Sequence, residues 1–266
     1  MILKIIFFGD IIGKIGRLAI KKVLPEIKQK YQPDLIIANA ENLAHGVGIT
    51  QKTIDEMIGA GIDFFTSGNH IWRKDEAKEI LNQKKTVVIR PANYPPVTPG
   101  WGEKVLEIGL KKLLVVNLLG RVFMGEQLDC PFRKFDEIYK KYEKENIGAI
   151  LVDVHAEATS EKVALGHYLD GRAQAVIGTH THVPTADAFI TEKGTAYVTD
   201  AGMAGAKDSV IGIDKAKAIE MFLTQMPLKH DIPEQGLAVV NSVYLEIDLK
   251  NKKAKKIERI DSLIEI

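Results

Sequence analysis

The feature that most constrains the fold of this chain is the alternation of short apolar runs with longer amphipathic segments. In the first two-thirds, strand-like apolar runs lie at Leu3–Phe8, Asp34–Asn39, Ile62–Thr66, Thr86–Ile89, Leu113–Leu118, Ala149–Val154 and Ala173–Gly178. Segments with helical periodicity lie between them at Arg17–Lys30, Thr53–Ala60, Lys74–Asn82, Lys134–Glu145 and Glu161–Leu169. Strands that alternate with helices of this length form βαβ units around a mostly parallel sheet. The sequence therefore predicts an α/β fold.

The last third of the chain has a different pattern. Thr195–Thr199 is typical of a strand and Asp214–Leu223 of a helix. Val239–Leu249 alternates apolar and polar residues, as a half-exposed antiparallel strand does, and Lys255–Ile260 is expected to pair with it. Because no linker or repeat interrupts the pattern, we expect residues 1–266 to form a single domain. Its predicted core is a mixed-sheet sandwich flanked by helices, with antiparallel edge strands near the C-terminus.

The charge balance and the cysteine content narrow the class of protein. The chain has 36 basic and 35 acidic residues, a net charge of +1, so binding to DNA through a basic surface is not expected. Its single cysteine, Cys130, excludes an intrachain disulfide and favours a reducing, cytoplasmic location. No apolar stretch approaches the roughly 20 residues that span a bilayer, so no membrane association is expected.

Polar residues with metal-binding side chains follow several of the predicted strands. In an open α/β sheet, ligands bind at the carboxyl ends of the strands, so residues that follow different strands meet at one rim. The polar residues that lie at or after the ends of predicted strands are Asp10, Glu41, Asn42, Asn69, His70, His155, His180 and His182. The sequence therefore predicts that nitrogen and oxygen ligands converge at one edge of the sheet.

The pair His180 and His182, in "IGTHTHVP", is the densest part of this pattern. At strand spacing, residues i and i+2 point the same way, although a lone His-x-His also occurs in ordinary polar turns. Nitrogen and oxygen ligands without thiolates suit Zn, Mn, Fe or Co. The candidate ligands are too many for one ion and fit two, and paired ions roughly 3.5–4 Å apart are used for chemistry at phosphorus.

At this level of detail the sequence resembles a known family. The order of Asp, acidic bridge, Gly-Asn-His, His and Gly-x-His-x-His resembles that of the calcineurin-like metallophosphoesterases. The stretches "FFGDIIGKIGR", "NAENLAHGVGIT", "TSGNHIW", "DVHAEATSEK" and "GTHTHVPTAD" resemble one bacterial branch, the 2',3'-cyclic-nucleotide 2'-phosphodiesterase family. The likeness runs from Asp10 through "TDAGM" at Thr199–Met203 and covers most of the chain.

The resemblance implies a dinuclear metal site. One metal would be held by Asp10, Glu41, Asn42 and His182. The other would be held by Glu41, Asn69, His155 and His180, with Glu41 bridging the two. His70 would be the proton donor. Iron is the metal expected for this branch, with manganese or zinc as substitutes.

The resemblance also implies the substrate class. A small-molecule 2',3'-cyclic nucleotide or related phosphodiester would be opened at the 2' bond to leave a 3'-nucleotide. The oligomeric state stays open, and a homo-oligomer is one of the possibilities.

Two positions depart from the wider superfamily. Ile12 stands where a histidine is usual, and the bridging residue is Glu41 where an aspartate is usual. Both departures match the branch.

Each candidate residue also has a simpler interpretation. Asp10, Asn42 and Asn69 could form turns, because Asn and Asp favour them. His155 could be an ordinary buried histidine, and His70 could stack on Trp72. The residues whose roles stay open are His45, which lies on a glycine-rich loop where it could contact substrate phosphate, and Arg121 and Arg133, which could bind substrate or form structural ion pairs. His167 and His230 are expected to be ordinary helix and loop residues.

Two further classes of protein stay open as alternatives. A regulatory nucleotide sensor could retain such a metal site without turnover. A dinucleotide-binding oxidoreductase would place a glycine-rich loop after the first strand, as "GDIIGKIG" does. Its glycines at 9, 13 and 16 fit neither G-x-G-x-x-G nor a Walker loop, which disfavours that class.

Overall fold

The computed structural model describes residues 1–227, 229 and 231–266. Within these residues the chain forms two six-stranded sheets. The strands of the first sheet are β1 (Ile2–Ile11), β2 (Leu35–Asn39), β3 (Phe64–Thr66), β10 (Met203–Ala206), β11 (Leu237–Asp248) and β12 (Lys253–Glu265). Those of the second are β4 (Glu103–Ile108), β5 (Lys111–Leu119), β6 (Ala149–His155), β7 (Ala175–Thr179), β8 (Phe189–Ile190) and β9 (Ala196–Val198).

Both sheets are mixed. The first has the order β12-β11-β10-β1-β2-β3, in which β10, β1, β2 and β3 are parallel and β11 and β12 are antiparallel. The second has the order β4-β5-β6-β7-β9-β8, with parallel pairing from β5 to β9 and antiparallel strands at both edges. The carboxyl ends of the parallel strands therefore form one rim in each sheet.

Helices cover the sheets. The α-helices are α1 (Gly13–Tyr31), α2 (Gln51–Ala60), α3 (Glu76–Asn82), α4 (Pro131–Tyr142), α5 (Thr159–Leu169) and α6 (Lys215–Thr224), and a 3₁₀ helix spans Asn69–Arg73. The first strand shows why the layers pack as they do. Leu3, Ile5 and Phe7 point into the core between the sheets, whereas Ile6 and Phe8 point into the core beneath the helices. A strand buried on both faces needs this unbroken apolar run.

The predicted fold class, an α/β sandwich of mixed sheets flanked by helices, is confirmed. The antiparallel pairing near the C-terminus is also confirmed, and both strands are longer than their apolar patterns predicted. The helix predicted from Arg17 begins earlier, at Gly13. The expectation that residues 1–266 form one domain stays a prediction.

The strand predicted at Thr86–Ile89 is wrong. This segment makes a single bridge, from Val88 to Phe65, between a turn at residues 84–85 and Pro91. Proline has no N–H to continue a ladder, so the pairing stops after the bonds that flank Phe65. The sequence pattern also missed β4, β8 and β10. The sequence of β10 is "MAGA", which lacks the β-branched and aromatic residues that mark strands.

Among the described residues, no helix combines the length and the apolar character that crossing a bilayer requires.

Candidate metal centre

The carboxyl ends of the parallel strands of both sheets open onto one cavity of 880 Å³. The first sheet contributes Asp10 near the end of β1, Glu41 and Asn42 after β2, and Asn69 after β3. The second contributes His155 at the end of β6 and His180 and His182 after β7. The structure thus brings the predicted ligands to one place from two separate sheets, while their assignment as metal ligands stays a prediction.

Glu41 lies at the centre of the cluster and is 1% exposed. Its Oε1 lies 3.3 Å from Nε2 of His155 and 3.4 Å from Nδ1 of His70. Its Oε2 accepts a hydrogen bond of 3.0 Å from the backbone N–H of His70. A fully buried carboxylate in contact with two imidazoles is the part of the site best placed to bridge two cations.

His155 and His180 extend the cluster on one side of Glu41. Nδ1 of His180 lies 3.0 Å from Nε2 of His155, and the backbone N–H of His180 donates to Oδ2 of Asp10 at 3.1 Å. One ligand atom from each of Glu41, His155 and His180 lies within 4.8 Å of the other two. These three side chains form the tightest group of metal-binding type in the described residues.

A second group lies on the other side of Glu41. The amide nitrogen of Asn42 lies 3.2 Å from Nε2 of His182, 3.4 Å from Oδ1 of Asp10 and 3.2 Å from Oε1 of Glu41. Nε2 of His182 is 3.8 Å from Oδ1 of Asp10. The carboxylate of Glu41 is therefore shared by both groups.

Asn69 supplies an independent test of whether these residues fit a metal. Within the described part of the chain, its Oδ1 atom is buried and has no hydrogen-bond partner. Buried polar atoms are almost always paired, so an unpaired amide oxygen beside this cluster calls for a ligand. A neutral oxygen donor is also what hard and borderline divalent cations accept. The donor set therefore fits a cation.

Burial and close contacts shift the acid–base equilibria of the cluster. Burial opposes the charged form of Glu41, but His155 and His70 outweigh it and hold the carboxyl pKa well below its usual range. Burial likewise opposes the charged form of His155, yet the carboxylates of Glu41 and Asp10 raise its pKa to about 9. Burial and the neighbouring His155 lower the pKa of His180 to about 3. Burial raises the pKa of Asp10.

Three buried residues behind His155 orient its ring. Nδ1 of His155 lies 2.8 Å from the hydroxyl of Thr179, which donates to Oδ1 of Asp153 at 2.7 Å. The amide of Asn39 donates to Oδ2 of Asp153 at 3.1 Å. With the hydroxyl proton directed to the carboxylate, the hydroxyl oxygen accepts Nδ1–H, which fixes the ring with Nε2 directed toward Glu41. Burial raises the pKa of Asp153 to about 6.

Sequence reasoning missed these supporting residues. Asp153 precedes His155 by two positions on the same strand, so both side chains lie on the same face. Asn39 ends β2 immediately before the segment that carries Glu41. Polar residues at the ends of otherwise apolar strands were the available signal.

The remaining candidates have different surroundings. His70 lines the cavity with its side chain 31% exposed, and His45 also lines it. Trp72 packs edge-on against Tyr94, with ring centroids 5.8 Å apart. Among the described residues, the exposed Arg121 and Arg133 lie outside the cavity lining. As predicted, His167 lies in a helix, α5, whereas His230 falls outside the described residues.

Comparison with known proteins places the chain in a family. The model of the family described as YmdB-like protein matches residues 6–260. A 2',3'-cyclic-nucleotide 2'-phosphodiesterase from Bacillus subtilis is 46% identical over 258 residues, which are 97% of this chain and 96% of that protein.

Two solved structures match over nearly the whole chain. A structure described as a novel phosphatase from Mycoplasma pneumoniae has a TM-score of 0.92 at 38% identity and covers 100% of this chain and 95% of its own. A hypothetical protein from Thermus thermophilus has a TM-score of 0.90 at 42% identity, covering 98% of this chain and 99% of its own. The predicted family and hydrolase class are confirmed, and the dinucleotide-binding alternative loses its support.

Proposed function

This chain belongs to the YmdB-like protein family, and we propose that it is a metal-dependent phosphodiesterase acting on 2',3'-cyclic nucleotides. It would open the 2' bond and leave a 3'-nucleotide. The observation that carries the proposal is the buried contact of Glu41 with His155, flanked by His180 on one side and by Asn42 on the other. The choice of substrate is supported by the Bacillus subtilis relative, which is a 2',3'-cyclic-nucleotide 2'-phosphodiesterase.

The proposed ligands fall into two sets that share Glu41. The first is Asp10, Glu41, Asn42 and His182, and the second is Glu41, Asn69, His155 and His180. We propose two metal ions, with iron expected and manganese or zinc as substitutes. When bound, such ions supply activation of water and neutralisation of charge at the phosphoryl group.

The chain's own residues have separate tasks. Glu41 contributes a fixed negative charge, and the contacts behind His155 hold its Nε2 toward that charge. His70 lines the cavity, and its backbone N–H and Nδ1 are held by Glu41 and Asn42. A histidine placed in this way can protonate the departing ribose oxygen, because imidazole gains and loses protons near neutral pH. A reducing, cytoplasmic location fits the single cysteine.

The decisive experiment identifies the product formed from 2',3'-cyclic AMP. Metal-loaded protein is expected to yield 3'-AMP, resolved from 2'-AMP by chromatography against both standards. Protein treated with chelator and assayed with and without added Mn²⁺ is the control. Release of 2'-AMP would contradict the proposed bond, and metal and nucleotide binding without turnover would favour a sensor instead.

Replacing His70 with Gln is expected to lower kcat on 2',3'-cyclic AMP by about 10²- to 10⁴-fold, the usual contribution of a general acid. Metal content should stay near that of the parent, since His70 belongs to neither proposed ligand set. The loss should shrink on bis(p-nitrophenyl) phosphate, because nitrophenolate leaves without protonation. An equal loss on both substrates would rule out the proton-donor role.

A further inference from the structure

The segment that carries His180 and His182 has an unusual backbone. His180 has φ of 99° and His182 has φ of 63°, both in the left-handed region that non-glycine residues rarely adopt. Such a conformation persists only where surrounding contacts enforce it. Something must therefore hold this segment in place.

The residue between the two histidines makes the contacts that do so. Thr181 donates twice to Oδ2 of Asp200, from its backbone N–H at 3.1 Å and from its hydroxyl at 2.8 Å. The histidines on either side then project from a backbone that is fixed at its midpoint. The carboxylate of Asp200 is fully buried, and a hydrogen bond to a buried carboxylate is electrostatically stronger than the same bond in water.

Asp200 is itself held in two ways. Nζ of Lys162, from α5, contacts Oδ2 at 2.7 Å, and both side chains are at most 1% exposed. A buried carboxylate needs such a partner, because an unpaired buried charge is strongly destabilising. Oδ1 of Asp200 accepts the N–H of Gly202 at 2.8 Å. Gly202 in turn accepts a hydrogen bond of 3.1 Å from the backbone of Asp10.

We infer that Asp200, neutralised by Lys162, is a positioning residue that fixes His180 and His182 relative to Asp10. It joins the two histidines after β7 of one sheet to the carboxylate on β1 of the other. This inference rests on the proposed function, since it concerns the geometry of the proposed metal ligands. Asp200 belongs to neither proposed ligand set, and it acts through Thr181 and Gly202.

The test compares two threonine-to-valine variants. Thr181→Val removes the hydroxyl that donates to the Asp200 carboxylate. Thr185→Val is the matched control, because the Thr185 hydroxyl accepts from the backbone N–H of the same Asp200, at 2.9 Å. Chelator-treated proteins are titrated with Mn²⁺, and free Mn²⁺ is read by electron paramagnetic resonance at a temperature where circular dichroism shows each variant folded.

Thr181→Val is expected to weaken Mn²⁺ binding at least about tenfold, the range seen when supporting partners of metal ligands are removed. Thr185→Val should stay within about twofold, and Thr181→Ser, which keeps the hydroxyl, should bind like the parent. Thr181→Ala repeats the loss of the hydroxyl should valine disturb the fold. Parental affinity in both Thr181→Val and Thr181→Ala, or an equal loss in Thr185→Val, would overturn the inference.

The Mn²⁺ titration distinguishes a failure of the proposed function from a failure of the role inferred for Asp200. Parent protein that binds no Mn²⁺ would count against the dinuclear site and hence the proposed function. Parent protein that binds Mn²⁺ with unchanged affinity in the Thr181 variants would leave the function standing and remove only the role of Asp200.

Discussion

Replacing Gly68 with Ala is expected to abolish metal binding by the central cluster and to lower hydrolysis by at least about 10³-fold. A Cβ atom at this position would overlap Nε2 of His155 and Oε2 of Glu41. Both side chains are buried and contact each other, so the overlap would displace the atoms at the centre of the cluster. A bound metal ion stabilises the transition state by several kcal/mol. Since each 1.36 kcal/mol corresponds to a tenfold change in rate, losing that stabilisation lowers the rate by about 10³-fold.

The matched control for this substitution is Gly59→Ala in α2, where an added Cβ meets nothing within 4 Å. It should keep full activity and stabilise the helix by about 1 kcal/mol. Metal content measured by mass spectrometry and the rate on 2',3'-cyclic AMP report on both variants. Parental metal content and rate in Gly68→Ala would show that the cluster tolerates expansion and does not bind metal with these atoms.

Replacing Glu41 with Gln is expected to have an effect of similar size. The substitution keeps the shape of the side chain but removes the charge that faces His155 and His70 and that both proposed ligand sets share. Hydrolysis should fall by about 10³-fold or more, because the charge proposed to hold the cations is lost. Metal content should fall as well, which separates this variant from His70→Gln.

Glu56→Gln provides the matched control for Glu41→Gln. Glu56 pairs with Arg17 and Lys21 away from the cavity, so its loss should leave the rate unchanged. Turnover of Glu41→Gln near the parental rate would refute the bridging role.

The sequence was sufficient to predict the sheet ends, and through them the candidate site. Each predicted ligand follows or ends an apolar run, and the parallel topology then requires these residues to meet. What the sequence could not predict was which strand belongs to which of the two sheets. Apolar runs such as β2 and β6 are buried on both faces and look alike, so periodicity alone does not say which strands pair.

The parts of the site that depend on tertiary contacts were also beyond sequence reasoning. Lys162 and Asp200 lie 38 positions apart, and a lysine on a helix is ordinarily a solvated residue. The same holds for Gly68, whose importance arises from the side chains that crowd it. Long-range crowding leaves no local pattern in a sequence.

The proposed ligands come from two sheets, so the apolar layer between those sheets determines how far apart the two groups of ligands lie. Phe7 and Ile37 on one side and Leu151 and Ile177 on the other keep the two rims a fixed distance apart. Close-packed interiors transmit small changes in volume rather than absorbing them. The spacing of any cations held here therefore depends on apolar side chains that lie a few residues before the ligands on the same strands. Mutations in that layer can alter the reactivity of the site without changing a polar residue.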